Sequence, residues 1–294
     1  MFHDPTLDDL IPEQRRVVAA LGQGGPPAPP ASSLLPASNQ TIPGKPRRQI
    51  RVIRPPGEVR GVMLHMHGGG FVFGTAQMAD GMNSYLAREA GIVSVSVDYR
   101  LAPANPHPAA LEDCVHTALW LVEGARALFG SERLLIGGDS AGATLAVLAL
   151  LALRDNHDAA KKFCGAAFNS GIYDFGQTPS QRQSTDGMFL SPARLRAMPE
   201  SAFPGVTGEA LREPQYSPLY ARLHGLPPAI FSVGAHDSVL DDSLFMAQRW
   251  SAAGNSADLE VYPEAPHIFM NLPTAMAAEA RWRMSRFLAA CLRR

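Results

Sequence analysis

From Arg47 onward, short β-branched runs take turns with longer helical patterns, and this alternation constrains the fold more than any other feature of the chain. The strand-like runs are Gln49 to Arg54, Gly61 to Met66, Ile92 to Asp98, Leu134 to Gly137, Ala229 to Gly234 and Leu259 to Tyr262. Helical patterns lie between them near Met78 to Ala90, Pro108 to Phe129, Ala141 to Arg154, Leu240 to Ala253 and Thr274 to Arg294. Strand and helix in turn imply an α/β fold, a mostly parallel sheet with helices on both faces. With 294 residues, 46% of them hydrophobic, the chain can bury a large core as one domain with an elaboration.

Two intervals break the alternation. Gly22 to Pro43 is rich in Pro, Gly and Ser and separates a helical-looking segment, Leu7 to Leu21, from the rest; it is expected to be a linker or a surface arm. Gln177 to about Tyr216 is polar, with repeated Pro, Gly and Met, and is expected to hold helix fragments but no strand, as an insertion over one end of the sheet.

Charge and cysteine usage exclude several function classes. Lys plus Arg number 26 against 27 Asp plus Glu, a net charge of −1, so no basic footprint points to nucleic acid. Cys114, Cys164 and Cys291 are odd in number and scattered, which argues against a disulfide framework or a zinc site and makes a reducing cytosol the default. The first ten residues, MFHDPTLDDL, lack the basic start and apolar run of a secretory signal. No stretch reaches the roughly 18 apolar residues of a membrane span, so the expectation is a soluble, cytoplasmic protein.

The sharpest chemical signal is Gly138-Asp139-Ser140-Ala141-Gly142, with an apolar strand before it and an apolar helix after it. That is the context of a nucleophile elbow: the serine sits on a strained strand-to-helix turn, small neighbours relieve crowding, and the helix N-terminus faces the developing oxyanion. A second signal, His67-Gly68-Gly69-Gly70-Phe71, follows the strand Gly61 to Met66. Consecutive glycines are costly in backbone entropy, so they mark a sharp turn that presents bare N–H groups. Gly69 and Gly70, with the N–H of Ala141, are the candidate oxyanion donors; no lysine follows to make the loop a phosphate cradle.

A serine nucleophile needs a base, and the base needs an acid, in this fold in the chain order serine, acid, histidine. Asp237 lies just past one strand and His267 just past the next, at the sheet edge where α/β sites gather. Asp241 and Asp242 fall at the start of a helix, where an N-cap or first-turn acid is the ordinary explanation. His236 adjoins the acid and cannot also bridge it to Ser140. His65 and His67 share one strand face but have no third ligand, so no metal is expected. His107, His116, His157 and His224 have no partner pattern, and Cys114 and Cys291 are expected to be packing residues.

Three segments together, His67 to Phe71, Asp98-Tyr99-Arg100-Leu101-Ala102-Pro103 with Pro106 and Pro108-Ala109-Ala110, and Gly138 to Gly142, resemble the hormone-sensitive-lipase family of α/β-hydrolases, the bacterial family IV esterases. The resemblance runs from about Val62 to the C-terminus. It implies an oxyanion hole from the glycine loop and a triad of Ser140, Asp237 and His267. It also implies a cap built from an N-terminal arm and an insertion after the sixth strand. The expected division is therefore a cap arm at 1–45, the hydrolase core at 46–176 and 217–294, and a cap insertion at 177–216. Two departures stand out: Ala104 where the family usually has Glu, and Ser238-Val239 where a Pro-Leu pair commonly follows the acid.

The expected activity is hydrolysis of short- to medium-chain acyl esters through an acyl-enzyme, with no cofactor and no metal. Phe71, Phe73, Phe189 and Leu190 are candidates for an apolar acyl pocket. The same triad also suits an arylformamidase or amidase. A non-catalytic binding protein is the remaining alternative, since plant gibberellin receptors resemble the family but lack the triad histidine, which is present here as His267. Family members often pair through the sheet edge, which here is the segment near Leu259 to Tyr262, so a homodimer is a further expectation.

Overall fold

The structure, a computed structural model, describes residues 34–184 and 190–293. The helical reading of Leu7 to Leu21, the arm before Leu34 and the candidate Phe189 lie outside the described residues.

Eight strands form one sheet: β1 (Ala37–Ile42), β2 (Arg48–Ile53), β3 (Gly61–Met66), β4 (Ile92–Asp98), β5 (Leu134–Asp139), β6 (Phe163–Asn169), β7 (Ala229–Gly234) and β8 (Ala257–Tyr262). Their order is β1-β2-β4-β3-β5-β6-β7-β8, with β1 and β2 antiparallel to their neighbours and every pairing from β4 through β8 parallel. Crossovers run through α1 (Asp80–Ala90), α2 (Ala109–Phe129), α3 (Ala141–His157) and α6 (Leu240–Ala252), and α7 (Ala275–Cys291) closes the chain. Strands β3 and β7 are buried along their whole length, as expected of parallel strands covered on both faces. Helix α3 is apolar from Ala141 to Leu153 but for Thr144, whose hydroxyl donates to Ile172 O, and is buried continuously as far as Leu151, so it runs through the core beside β5 rather than along the surface.

Two strands depart from the sequence expectation. Ala37–Ile42 falls in the stretch read as a linker, yet pairs antiparallel with β2 from Ala37 opposite Ile53 to Ile42 opposite Arg48. It is an edge strand exposed over most of its length, with only Ile42 buried, so it carries no alternation to detect. Phe163–Asn169 is made largely of small residues because its neighbours approach closely: a methyl group on Gly165 would lie 2.8 Å from Cys291 Sγ.

Between β6 and β7 the chain forms a short helix α4 (Pro179–Gln183), helix α5 (Pro192–Ala202) and 3-10 turns at Gly208–Arg212 and Pro218–Tyr220. No strand occurs there among the described residues, in line with the polar, Pro- and Gly-rich sequence. The Ser191 hydroxyl caps α5 by accepting the Arg194 N–H at 3.3 Å. Among the described residues no helix is long and apolar enough to cross a membrane.

Candidate active site

Ser140 is the single residue between β5 and α3, and its backbone is forced to φ 53°, ψ −122°. Such a conformation costs a non-glycine residue about 1–3 kcal/mol and persists only where the surroundings dictate it. They do so here through the Ser140 N–H, which donates to Asn169 O at 2.8 Å, and its carbonyl, which accepts from Ala143 N–H at 2.9 Å. The flanking glycines are steric requirements. A methyl group on Gly138 would lie 2.5 Å from Met66 O, and one on Gly142 would lie 2.1 Å from Met66 O and 2.5 Å from His67 O. The end of β3 thus reaches the elbow only across bare backbone, which is why glycine is required at both positions.

The loop after β3 runs beside the serine, since a methyl group on Gly68 would lie 3.4 Å from Ser140 Cβ. Gly69 and Gly70 adopt φ 123° and 61°, and Phe71 follows at 66°. The Gly69 carbonyl accepts from Val72 and Phe73 N–H, both at 3.1 Å, which closes the turn. His67 anchors it: its ring stacks on Tyr99 with centroids 4.1 Å apart, and the Tyr99 hydroxyl donates to His67 O at 2.8 Å. Burial pushes the His67 imidazole below its usual pKa, so it is neutral near pH 7, with Nδ1–H donating to Gly68 O at 2.7 Å. The N–H groups of Gly69, Gly70 and Ala141 make no hydrogen bond to any described residue, and Ala141 adds the positive end of the α3 dipole.

The expected acid and base meet the serine. His267 Nε2 is 2.9 Å from Ser140 Oγ, and Nδ1 is 2.9 and 3.0 Å from the two Asp237 carboxylate oxygens. All three side chains are about 95% buried. With Nδ1 between two acceptors the proton belongs there, leaving the Nε2 lone pair for the serine hydroxyl. The Asp237 carboxylate also accepts Val239 N–H at 3.1 Å. The loop carrying His267 crosses β7 at Gly234, where a methyl group would lie 2.0 Å from Ala265 O. It is fixed by His236 N–H to Ala265 O at 3.1 Å and by Ile268 N–H to Ser170 Oγ at 3.1 Å. The His236 side chain itself is exposed.

Asp139, the first of the two variable residues of the elbow motif, accepts from Asn169 Nδ2 at 2.8 Å and from His65 Nε2 at 3.2 Å. Burial opposes its charge, but these two partners and the nearby His267 outweigh burial and hold the carboxyl below the usual range. His65 is thereby occupied by an acid, and no group of three metal-ligating side chains occurs among the described residues.

Sequence reasoning missed the polar lacing behind Asp237. Asp241 and Asp242 do lie in the first turn of α6, but neither caps that helix. Asp242, fully buried, accepts from Tyr173 N–H (2.7 Å), Asp174 N–H (2.9 Å), Thr178 Oγ1 (2.8 Å) and Gln181 Nε2 (2.8 Å). Burial pushes its carboxyl up to about 7, against the pull of these donors. Asp241 accepts Ser180 N–H at 2.7 Å, and Ser238 Oγ donates to Leu190 O at 3.1 Å. Ser238 stands where the resemblance leads one to expect proline, and that departure was the available signal.

The pocket candidates are less uniform. Phe71 is buried against Phe175 and Phe203, with centroids 5.9 and 5.8 Å away, and Leu190 is buried beside Ser238, whereas Phe73 is half-buried next to the glycine turn.

A family described as having the alpha/beta hydrolase fold matches residues 63–271. The chain is 34% identical to the carboxylesterase NlhH of Mycobacterium tuberculosis over 243 residues, 80% of this chain and 75% of that protein. It is 29% identical to an ethyl acetate hydrolase of Pseudomonas putida over 232 residues, covering 76% and 71% of the two chains. Among solved structures, an esterase from the bacterial hormone-sensitive lipase family superposes with a TM-score of 0.81 at 31% identity, over 99% of this chain and 93% of the other.

Proposed function

The chain belongs to the alpha/beta hydrolase fold family, in its hormone-sensitive-lipase branch, and is a carboxylic ester hydrolase; we propose that it cleaves short- to medium-chain acyl esters with Ser140, His267 and Asp237. The observation that carries this reading is the continuous chain from Ser140 Oγ through His267 to the Asp237 carboxylate, at 2.9 Å and 2.9–3.0 Å, with the N–H groups of Gly69, Gly70 and Ala141 bonded to no described residue.

Ser140 Oγ attacks the ester carbonyl while its proton passes to His267 Nε2. The carbonyl oxygen takes the negative charge and is held by the N–H groups of Gly69, Gly70 and Ala141. Asp237 stabilises the imidazolium and keeps its ring oriented. Collapse of the tetrahedral adduct breaks the ester C–O bond, and His267 returns the proton to the departing alcohol. Water then gives its proton to His267 and attacks the acyl-serine, releasing the acid and restoring Ser140.

The insertion at 177–216 is the cap in this reading, supported by its hydrogen bonds to the segment Ser238 to Asp242. Pairing of two copies through β8 is supported by its place at the end of the sheet and by exposed Val261 and Trp282. Light scattering would show a particle near twice 31.5 kDa, and a monomer only would remove the pairing. No disulfide joins Cys114, Cys164 and Cys291 to one another, which supports a reducing cytoplasm.

The test is hydrolysis of 4-nitrophenyl esters from acetate to palmitate by the wild type and Ser140→Ala at mildly alkaline pH. Activity should peak at short acyl chains and fall by about 10⁴ or more in the variant. Retained turnover in Ser140→Ala, or no ester cleaved by the wild type, would overturn the assignment.

A further inference from the structure

Helix α5 of the insertion lies directly against the glycine loop. A methyl group on Gly70 would stand 3.1 Å from Met198 Cε, 3.6 Å from its Cγ and 3.7 Å from its Sδ, so the thioether lies along the bare face of Gly70. Met198 is nearly buried, on the inward side of α5 with Leu195 and Ala202. Behind it the helix is fixed to the core. His107 N–H donates to Ala202 O at 2.8 Å, and Phe203 packs on Phe71 and on Phe175, with centroids 5.8 and 5.0 Å away. Met198 is therefore a flexible side chain on a fixed helix, a few ångströms from an N–H that receives the substrate oxygen.

We propose that Met198 sets the acyl-chain length this enzyme accepts, by closing the acyl side of the site against Gly70. The inference rests on the esterase reading above. The sheet order supplies the direction. The leaving-group oxygen must face His267, which follows β8, whereas Gly70 follows β3 on the other side of β5, and Met198 reaches across to Gly70 from the insertion between β6 and β7. The acyl substituent, directed away from His267, meets the Met198 methyl within its first few carbons.

The experiment compares kcat/KM for 4-nitrophenyl acetate, butyrate and octanoate, and for ethyl and hexyl acetate, in the wild type, Met198→Ala, Met198→Val and Met198→Leu. Ratios within one variant do not depend on how much of it is folded, and the valine variant covers the case of an insoluble alanine variant. The octanoate-to-acetate ratio should rise about 10-fold or more in Met198→Ala and by a smaller step in Met198→Val. Met198→Leu, close in volume, should keep the wild-type order, and the hexyl-to-ethyl ratio should stay put throughout. An octanoate ratio unchanged in both smaller variants, or a change confined to the alcohol series, overturns the role of Met198. A wild type that cleaves none of these esters fails the esterase reading instead, so the two failures are told apart.

Discussion

The nucleophile elbow and the acid–base arm meet at the hydrogen bond between Ser140 Oγ and His267 Nε2, and they are held by different forces. At the elbow, Gly138 and Gly142 press against the carbonyls at the end of β3, where an added methyl group would lie 2.1–2.5 Å from an oxygen. In the arm, Asp237 sits on a turn whose neighbours Ser238, Asp241 and Asp242 hydrogen-bond to the insertion. Steric support tolerates no extra atom. Hydrogen-bonded support tolerates exchange of one partner for another of similar shape, provided every buried group stays paired. The contrast matters because both halves must place their atoms within a few tenths of an ångström: the acid turn can exchange a side-chain partner without moving backbone, whereas the elbow, like Gly234 where the His267 loop crosses β7, admits no added methyl.

The sharpest way to probe that contrast is Asp237→Asn. The amide keeps the shape but removes the charge that supports the imidazolium and favours the wrong tautomer, so kcat should fall by about 10⁴ while the Tm stays near that of the wild type. A large loss of Tm would show that the arm is as sterically fixed as the elbow. Gly142→Ala is the counterpart. Its methyl has nowhere to go, so kcat should fall by about 10² or more and the Tm should fall with it, because the backbone that aims Ser140 must shift. Wild-type stability and turnover in that variant would break the comparison from the other side.

A smaller effect is expected from Asp242→Asn. Asp242 holds its proton more tightly in the folded chain, at about 7 against the usual 3.8. Its protonated form is therefore favoured by folding. That contribution is complete below about pH 4 and is lost as pH rises through about 7. Thermal melts should show a pH-dependent fall in Tm across this window in the wild type, and a fall several degrees smaller in Asp242→Asn, where the Thr178 hydroxyl and Gln181 amide can turn to pair with the new amide. Identical slopes in the two proteins would mean that Asp242 does not titrate there.

How much of this was legible beforehand followed the physics. Strands β3 and β7 were read to their end residues because strands buried on both faces write near-continuous apolar runs, and β4 because Ile92, Val93, Val95 and Val97 make a β-branched run. Ser140, Asp237 and His267 were legible because each follows a readable strand. Strand β1 was not, since its edge position asks for little beyond Ile42. Nor was β6, since its small residues answer to neighbours such as Cys291 that are distant in the chain.

The sequence by itself determined the parallel core, the elbow and the glycine loop, because periodicity and glycine spacing are local and each is imposed by backbone geometry within a few residues. Only the tertiary structure decided that Asp242 is a buried acceptor rather than a helix cap, that Ser238 ties the acid turn to the insertion, and that Met198 lies on Gly70. Those relations join residues 48 to 128 positions apart, and which polar or apolar group answers another across such a gap is settled by packing, which no local pattern encodes.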